Sequence, residues 1–131
     1  MASHIVNLRD RPDLESAITR PAGGSTASSK KKTTRFLGIR SEDFVNPEEP
    51  PYAYYIERPK GDITPDHSHH AARTEFLIEG EIEWRETGKP PQRYGAGTLT
   101  YVEAGTVYGY TVIRDAKILI QFDRSPGMNY R

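Results

Sequence analysis

The chain has no cysteine. Disulfide staples and thiolate ligation are thereby excluded, so a metal ion would have to be held by histidine, carboxylate or tyrosine. Net charge is lacking too: 18 Lys and Arg balance 18 Asp and Glu to a formal +0 at pH 7. That removes the global attraction that draws basic proteins to nucleic acid or anionic membrane. No apolar run approaches the roughly 20 residues that span a bilayer. The opening "MASHIVNLRD" lacks the long apolar stretch of a signal peptide. Phosphate-cradling glycine loops, a nucleophile elbow and Cys–His pairs are absent as well. What remains is a chain of 131 residues, a size that suits one core. It is expected to be soluble and cytoplasmic, with no nucleic-acid or membrane partner.

The first third has little to bury. "RPAGGSTASSKKKT", residues 20–33, is rich in Gly, Ser and Lys and reads as a flexible segment, with Lys30, Lys31 and Lys32 as a solvated basic run. "RPDLESAIT" just before it has Pro12 early and Leu14 and Ile18 four apart, the spacing of a short helix. Residues 1–33 are therefore set apart from a folded domain over 34–131.

Past residue 33, short β-favouring runs follow one another: "RFLGI", "YAYYIE", "EFLIE", "EIEWRE", "TLTYVE", "VYGYTVI" and "KILIQF". Between them stand "NPEEPP", "RPKGD", "TGKPP" and "YGAG". Proline breaks a ladder because it lacks the N–H donor, and glycine turns the chain because it tolerates positive φ. Regularly spaced short strands without a helical pattern predict an all-β sandwich, barrel or jelly roll.

The chemistry concentrates in "DHSHHAARTEFLIEGE", residues 66–81. On a strand, side chains at i and i+2 share a face about 6.6 Å apart. His67 and His69 would thus point one way, and His70 the other. Imidazole suits Fe, Zn, Ni, Cu and Mn, but a secure site needs three or four ligands. By the same period Arg73, Glu75 and Leu77 share a face, which leaves Arg73 and Glu75 as an ion pair, an anion-binding fork or both. A carboxylate facing a core must be paired, ligated or protonated, so Glu75 is either a salt-bridge partner, a ligand or a general base.

These residues fall on a known frame. Gly61, five residues, His67-Ser68-His69, three residues, Arg73, six residues and Gly80 follow the first motif of the cupin superfamily. Gly97, five residues, Glu103-Ala104-Gly105, two residues, Tyr108, three residues and Val112 follow the second. Over residues 50–123 the chain resembles these small β barrels. The resemblance implies an all-β, double-stranded β-helix (jelly-roll) cupin barrel and, as for many small cupins, a homodimer. It implies a metal site built from two His, a Glu and a later His. Here His67 and His69 match, whereas Arg73 stands at the Glu position and Tyr108 at the last His position.

The resemblance therefore implies a metal-dependent enzyme acting on a small oxygenated or carboxylated metabolite, of dioxygenase, lyase or isomerase type. His67, His69 and Tyr108 would hold a divalent Fe, Zn, Ni or Mn ion. Glu75 and Tyr108 would be catalytic, and Arg73, Tyr54 and Tyr110 would hold substrate. "EGEIEW" and "GTLTYVEAGTVYGY" are similar to segments of iron-dependent hydroxyacetophenone dioxygenases. The competing reading is a cupin without metal that binds a small molecule as a sensor or accessory protein.

Overall fold

Period-two burial runs through both halves of the longest described strand and is interrupted only around Arg114 and Asp115. In a computed structural model, which describes residues 2–15, 25–26, 32–38, 49–124 and 128–130, Tyr108, Tyr110, Val112, Ala116, Ile118, Ile120 and Phe122 are all buried. They are the even positions, all but the exposed Arg114, of one strand, Tyr108–Phe122, whose alternate side chains face a single core. In chain order the described strands are β1 (Ser25–Thr26), β2 (Thr33–Phe36), β3 (Ala53–Arg58), β4 (Asp62–His69) and β5 (Arg73–Glu86). They continue with β6 (Gln92–Gly95), β7 (Leu99–Val102), β8 (Tyr108–Phe122) and β9 (Met128–Tyr130). All pairings are antiparallel, and β8 is the hub, bonded to β3, β4 and β5. Around it the path runs β1-β4-β8-β3-β2, while β5 also pairs with β6 and β7, and β9 with β4. This is an all-β jelly roll.

Runs that look separate in sequence are continuous here. "EFLIE" and "EIEWRE" both belong to β5, and "VYGYTVI" and "KILIQF" both belong to β8. Gly80 makes this possible. Its φ is +99, and a Cβ there would run into the Asp115 carbonyl oxygen and lie 2.8 Å from Ala116 Cα and the Arg114 carbonyl oxygen. The β5–β8 register slips on both sides of it, between Leu77 and Glu79 and between Glu79 and Ile82. The inward parity of β5 flips in consequence: Arg73, Glu75 and Leu77 face in before the slip, Ile82 and Trp84 after it.

The N-terminal segment is more engaged than its composition predicts. Leu14 N–H bonds the Thr34 carbonyl, and the Asp13 carboxylate accepts from the backbone N–H groups of Glu15 and Thr34. Those bonds hold residues 11–14 in non-helical backbone where the spacing predicts a helix; the observed 3-10 turn lies earlier, at Leu8–Asp10. Residues 16–19 of the expected helix, and most of "RPAGGSTASSKKKT", lie outside the described residues. Within that stretch, β1 pairs with β4. Lys32, expected to be solvated, instead meets Asp62 at 2.6 Å. Asp62 is buried and also faces Arg58, which reaches Glu15 at 3.3 Å and the Thr34 hydroxyl at 3.0 Å. No described helix is long and apolar enough to cross a membrane.

Candidate functional site

β4 delivers the histidines through a bulge. Thr64 pairs with Tyr110 but His67 with Tyr108, so three steps on β4 answer two on β8. The extra residue sets His67 and His69 inward against Tyr108, with ring centroids 4.7 Å apart and His67 4.5 Å from the Tyr108 ring. His67 Nδ1 lies 2.7 Å from the Pro65 carbonyl, which fixes that nitrogen as the N–H donor. His70, next in sequence, is exposed on the other side.

β5 supplies the charges. Arg73 and Glu75 share the inward face, are 3% and 4% exposed, and meet at 3.1 Å. A second guanidinium nitrogen of Arg73, Nη1, donates to His69 Nε2 at 2.7 Å. The guanidinium carbon lies 5.2 Å from the Phe122 ring centroid and 5.4 Å from that of Tyr108, within the range of cation–π attraction. Its Nε–H is buried and has no acceptor among the described residues.

β8 and the second half of β5 line the rest with aromatics. Trp84 stacks on Tyr108 at 4.6 Å and 9°, and on Tyr110 at 6.0 Å and 5°. Tyr54 on β3 stacks on Phe122 and meets Phe36 edge-on. A cavity of about 10 Å³ lies against Glu75, among Leu77, Trp84, Tyr94, Thr98 and Thr100. That is room for about one water molecule.

Burial sets the protonation of this cluster. It lowers His67 to about 4, with the Pro65 carbonyl opposing and the nearby Arg73 charge assisting, so the ring is neutral at pH 7. It raises Glu75 above the ordinary carboxylate range, although Arg73 and the Tyr108 hydroxyl both favour the charged form. It holds the Tyr108 phenol well above its usual value. For Arg73 burial acts against the charge, but the Glu75 carboxylate outweighs it and the guanidinium stays protonated.

The cupin domain model matches residues 54–120, half of the chain. This chain is a cupin. Among solved structures it is similar to the polyketide cyclase RemF from Streptomyces resistomycificus, at 15% identity and a TM-score of 0.66, over 99% of this chain and 85% of that one. It is also similar to a deletion mutant of the oxalate decarboxylase OxdC from Bacillus subtilis, at 15% identity and a TM-score of 0.68. There it covers 99% of this chain but only 33% of that one. Against the DMSP lyase DddQ from Ruegeria pomeroyi it covers 57% of this chain and 41% of that one, at 25% identity and a TM-score of 0.49. Comparison with the curated proteins finds no match.

All seven residues singled out from the sequence, Tyr54, His67, His69, Arg73, Glu75, Tyr108 and Tyr110, are buried in this one barrel. As arranged they do not fit a resident divalent cation. A guanidinium occupies the Nε2 face of His69, where an ion would bind, and the third donor is a phenol that burial keeps protonated. Among the described residues no group of three His, Cys, Asp or Glu is placed to hold a metal.

One inward residue escaped the sequence reading: Phe122 faces His69 at 5.0 Å, and period two counted from Tyr108 to Phe122 would have found it. Trp84, which the alternation of its segment turns toward the core, carries the aromatic stack. Tyr101, close in sequence to Tyr108 and Tyr110, is 65% exposed because its place on β7 points outward.

Proposed function

We propose that this cupin is a proton-transfer enzyme, of lyase or isomerase type, acting on a small oxygenated or carboxylated metabolite inside the barrel. The observation that carries the reading is Glu75: a buried carboxylate held on one side by Arg73 and opening on the other to a water-sized cavity. Glu75 takes the substrate proton, its affinity for that proton raised by burial. Tyr108, protonated at neutral pH, donates to the oxygen that gains charge. The unpartnered Nε–H of Arg73 receives the substrate carboxylate, and Trp84, Tyr94, Thr98 and Thr100 border the space beside Glu75, while Tyr54 and Tyr110 lie buried in the same barrel. The cavity beside Glu75 is smaller than any metabolite, so the substrate enters by displacing side chains around it.

The test is deuterium wash-in from D2O into a panel of small oxo- and hydroxy-carboxylic acids, followed by NMR. The wild type is expected to exchange at least one of them, and Glu75→Gln to lose that exchange while keeping its fold. Equal exchange in both proteins would reduce Glu75 to a structural ion-pair partner. A second reading, binding without catalysis, is favoured by the same Arg73–Glu75 contact, which engages the base in the resting site. Saturable binding of a panel member without exchange would establish it.

We place the protein in a homodimer, supported by an outward apolar row in which Leu99 on β7, Phe76 on β5 and Leu119 on β8 are register partners and all partly exposed. Sedimentation of the wild type against Phe76→Glu tests that assembly.

A further inference from the structure

We infer that the Arg73 guanidinium is the resident cation of this barrel, built into the chain at the place where a divalent ion would sit between the histidines and the acidic ligand. Three observations converge on it. The guanidinium donates to His69 Nε2 at 2.7 Å, and so occupies the lone pair that an ion would take. It meets the Glu75 carboxylate at 3.1 Å, so the acidic partner of the site answers an arginine. It lies near the Tyr108 and Phe122 rings, at 5.4 and 5.2 Å from their centroids, which give a buried cation a favourable electrostatic surface.

The consequences are chemical. A guanidinium stays protonated at any physiological pH and offers fixed N–H directions, so it holds an oxyanion by charge and geometry. It has no open coordination position and cannot ionise a bound water as a metal ion does. The site is thus charged without depending on metal supply. Arg73 is also the single position that separates this cluster from a ligand set of two imidazoles and a carboxylate. The inference concerns the same cluster as the proposed function, but the two fail separately. Metal uptake by the wild type would overturn the inference and leave proton transfer by Glu75 standing.

The experiment uses the full chain, freed of any affinity tag, in three forms: wild type, Arg73→Glu and Arg73→Ala. Each is incubated with Mn²⁺, Fe²⁺, Ni²⁺ or Zn²⁺, desalted and analysed for metal. The wild type is expected to retain under about a tenth of an equivalent, and Arg73→Glu to gain about one equivalent that a further His67→Ala change abolishes. Arg73→Ala answers independently should Arg73→Glu fail to fold. Millimolar methylguanidinium, filling the vacated space, is expected to raise the melting temperature of Arg73→Ala by about a few degrees and leave the wild type unmoved. A full equivalent in the wild type, lost on His67→Ala, would overturn the inference. So would an Arg73→Ala protein that ignores methylguanidinium.

Discussion

Breaking the Arg73–Glu75 pair from one side and from both sides should give opposite outcomes. Both groups are at least 96% buried and 3.1 Å apart, so each depends on the other for what water supplied in the unfolded chain. Removing one partner strands the other charge, at a cost of about 3–5 kcal/mol. Arg73→Met strands the Glu75 carboxylate and takes a donor from His69; Glu75→Leu leaves the guanidinium with only His69 and two aromatic faces. The double change removes both charges and refills the space with apolar atoms, so it should cost about 1–2 kcal/mol, less than either single change. A domain of this size is stable by about 5–15 kcal/mol, so the singles remain measurable. Urea unfolding at pH 7 reads the cycle. The only tryptophan of the chain, Trp84, stacks on Tyr108, so its fluorescence reports the site directly. Penalties that add to within about 0.5 kcal/mol would refute the pairing.

Three further outcomes follow from the same geometry. His67 binds its proton at about 4 when folded against an ordinary 6.5, so the unfolded chain takes up more protons between those values. Its contribution is therefore present above pH 6.5 and lost as the pH falls towards 4, about 3 kcal/mol in all; His67→Gln should flatten that acid slope in urea midpoints, and an unchanged slope would place the titration elsewhere. Gly80→Ala forces a Cβ against β8 backbone at positive φ, and should cost about 2–4 kcal/mol, visible as a lower melting temperature. The Tyr108 hydroxyl has no well-formed hydrogen bond among the described residues. Tyr108→Phe should therefore shift stability by no more than about 1 kcal/mol while suppressing deuterium exchange, and a large stability loss would assign the hydroxyl a structural role.

The fold was legible wherever local pattern and tertiary position agree. Even-numbered apolar residues from Tyr108 to Phe122 mark the inward face of β8, and Gly61, Gly80, Gly97 and Gly105, each at positive φ, stand where the cupin spacing expects glycine. The strands that escaped notice are short or polar. β6 reads "QRYG" and β9 "MNY", and neither carries an apolar period; long-range pairing to β5 and β4 creates them. That the two halves of β5 on either side of Gly80 form one strand is likewise invisible locally, because the close approach there is set by β8 crossing at Asp115 and Ala116. Of the site, the shared face of Arg73 and Glu75 follows from period two. The bond from Arg73 to His69 does not, because it crosses the turn at residues 70–72 that joins β4 to β5. That bond changes the chemistry, since it places a permanent charge where histidine spacing alone suggests a metal ion.

The most direct test of that claim is a crystal structure of the wild type grown with Zn²⁺ or Ni²⁺, with data collected at the absorption edge of the metal. The account predicts no anomalous peak within coordination distance of His67 and His69, and the Arg73 guanidinium bonded to His69 Nε2 and Glu75. A peak about 2.0–2.1 Å from both imidazoles, with Arg73 swung away, would contradict it.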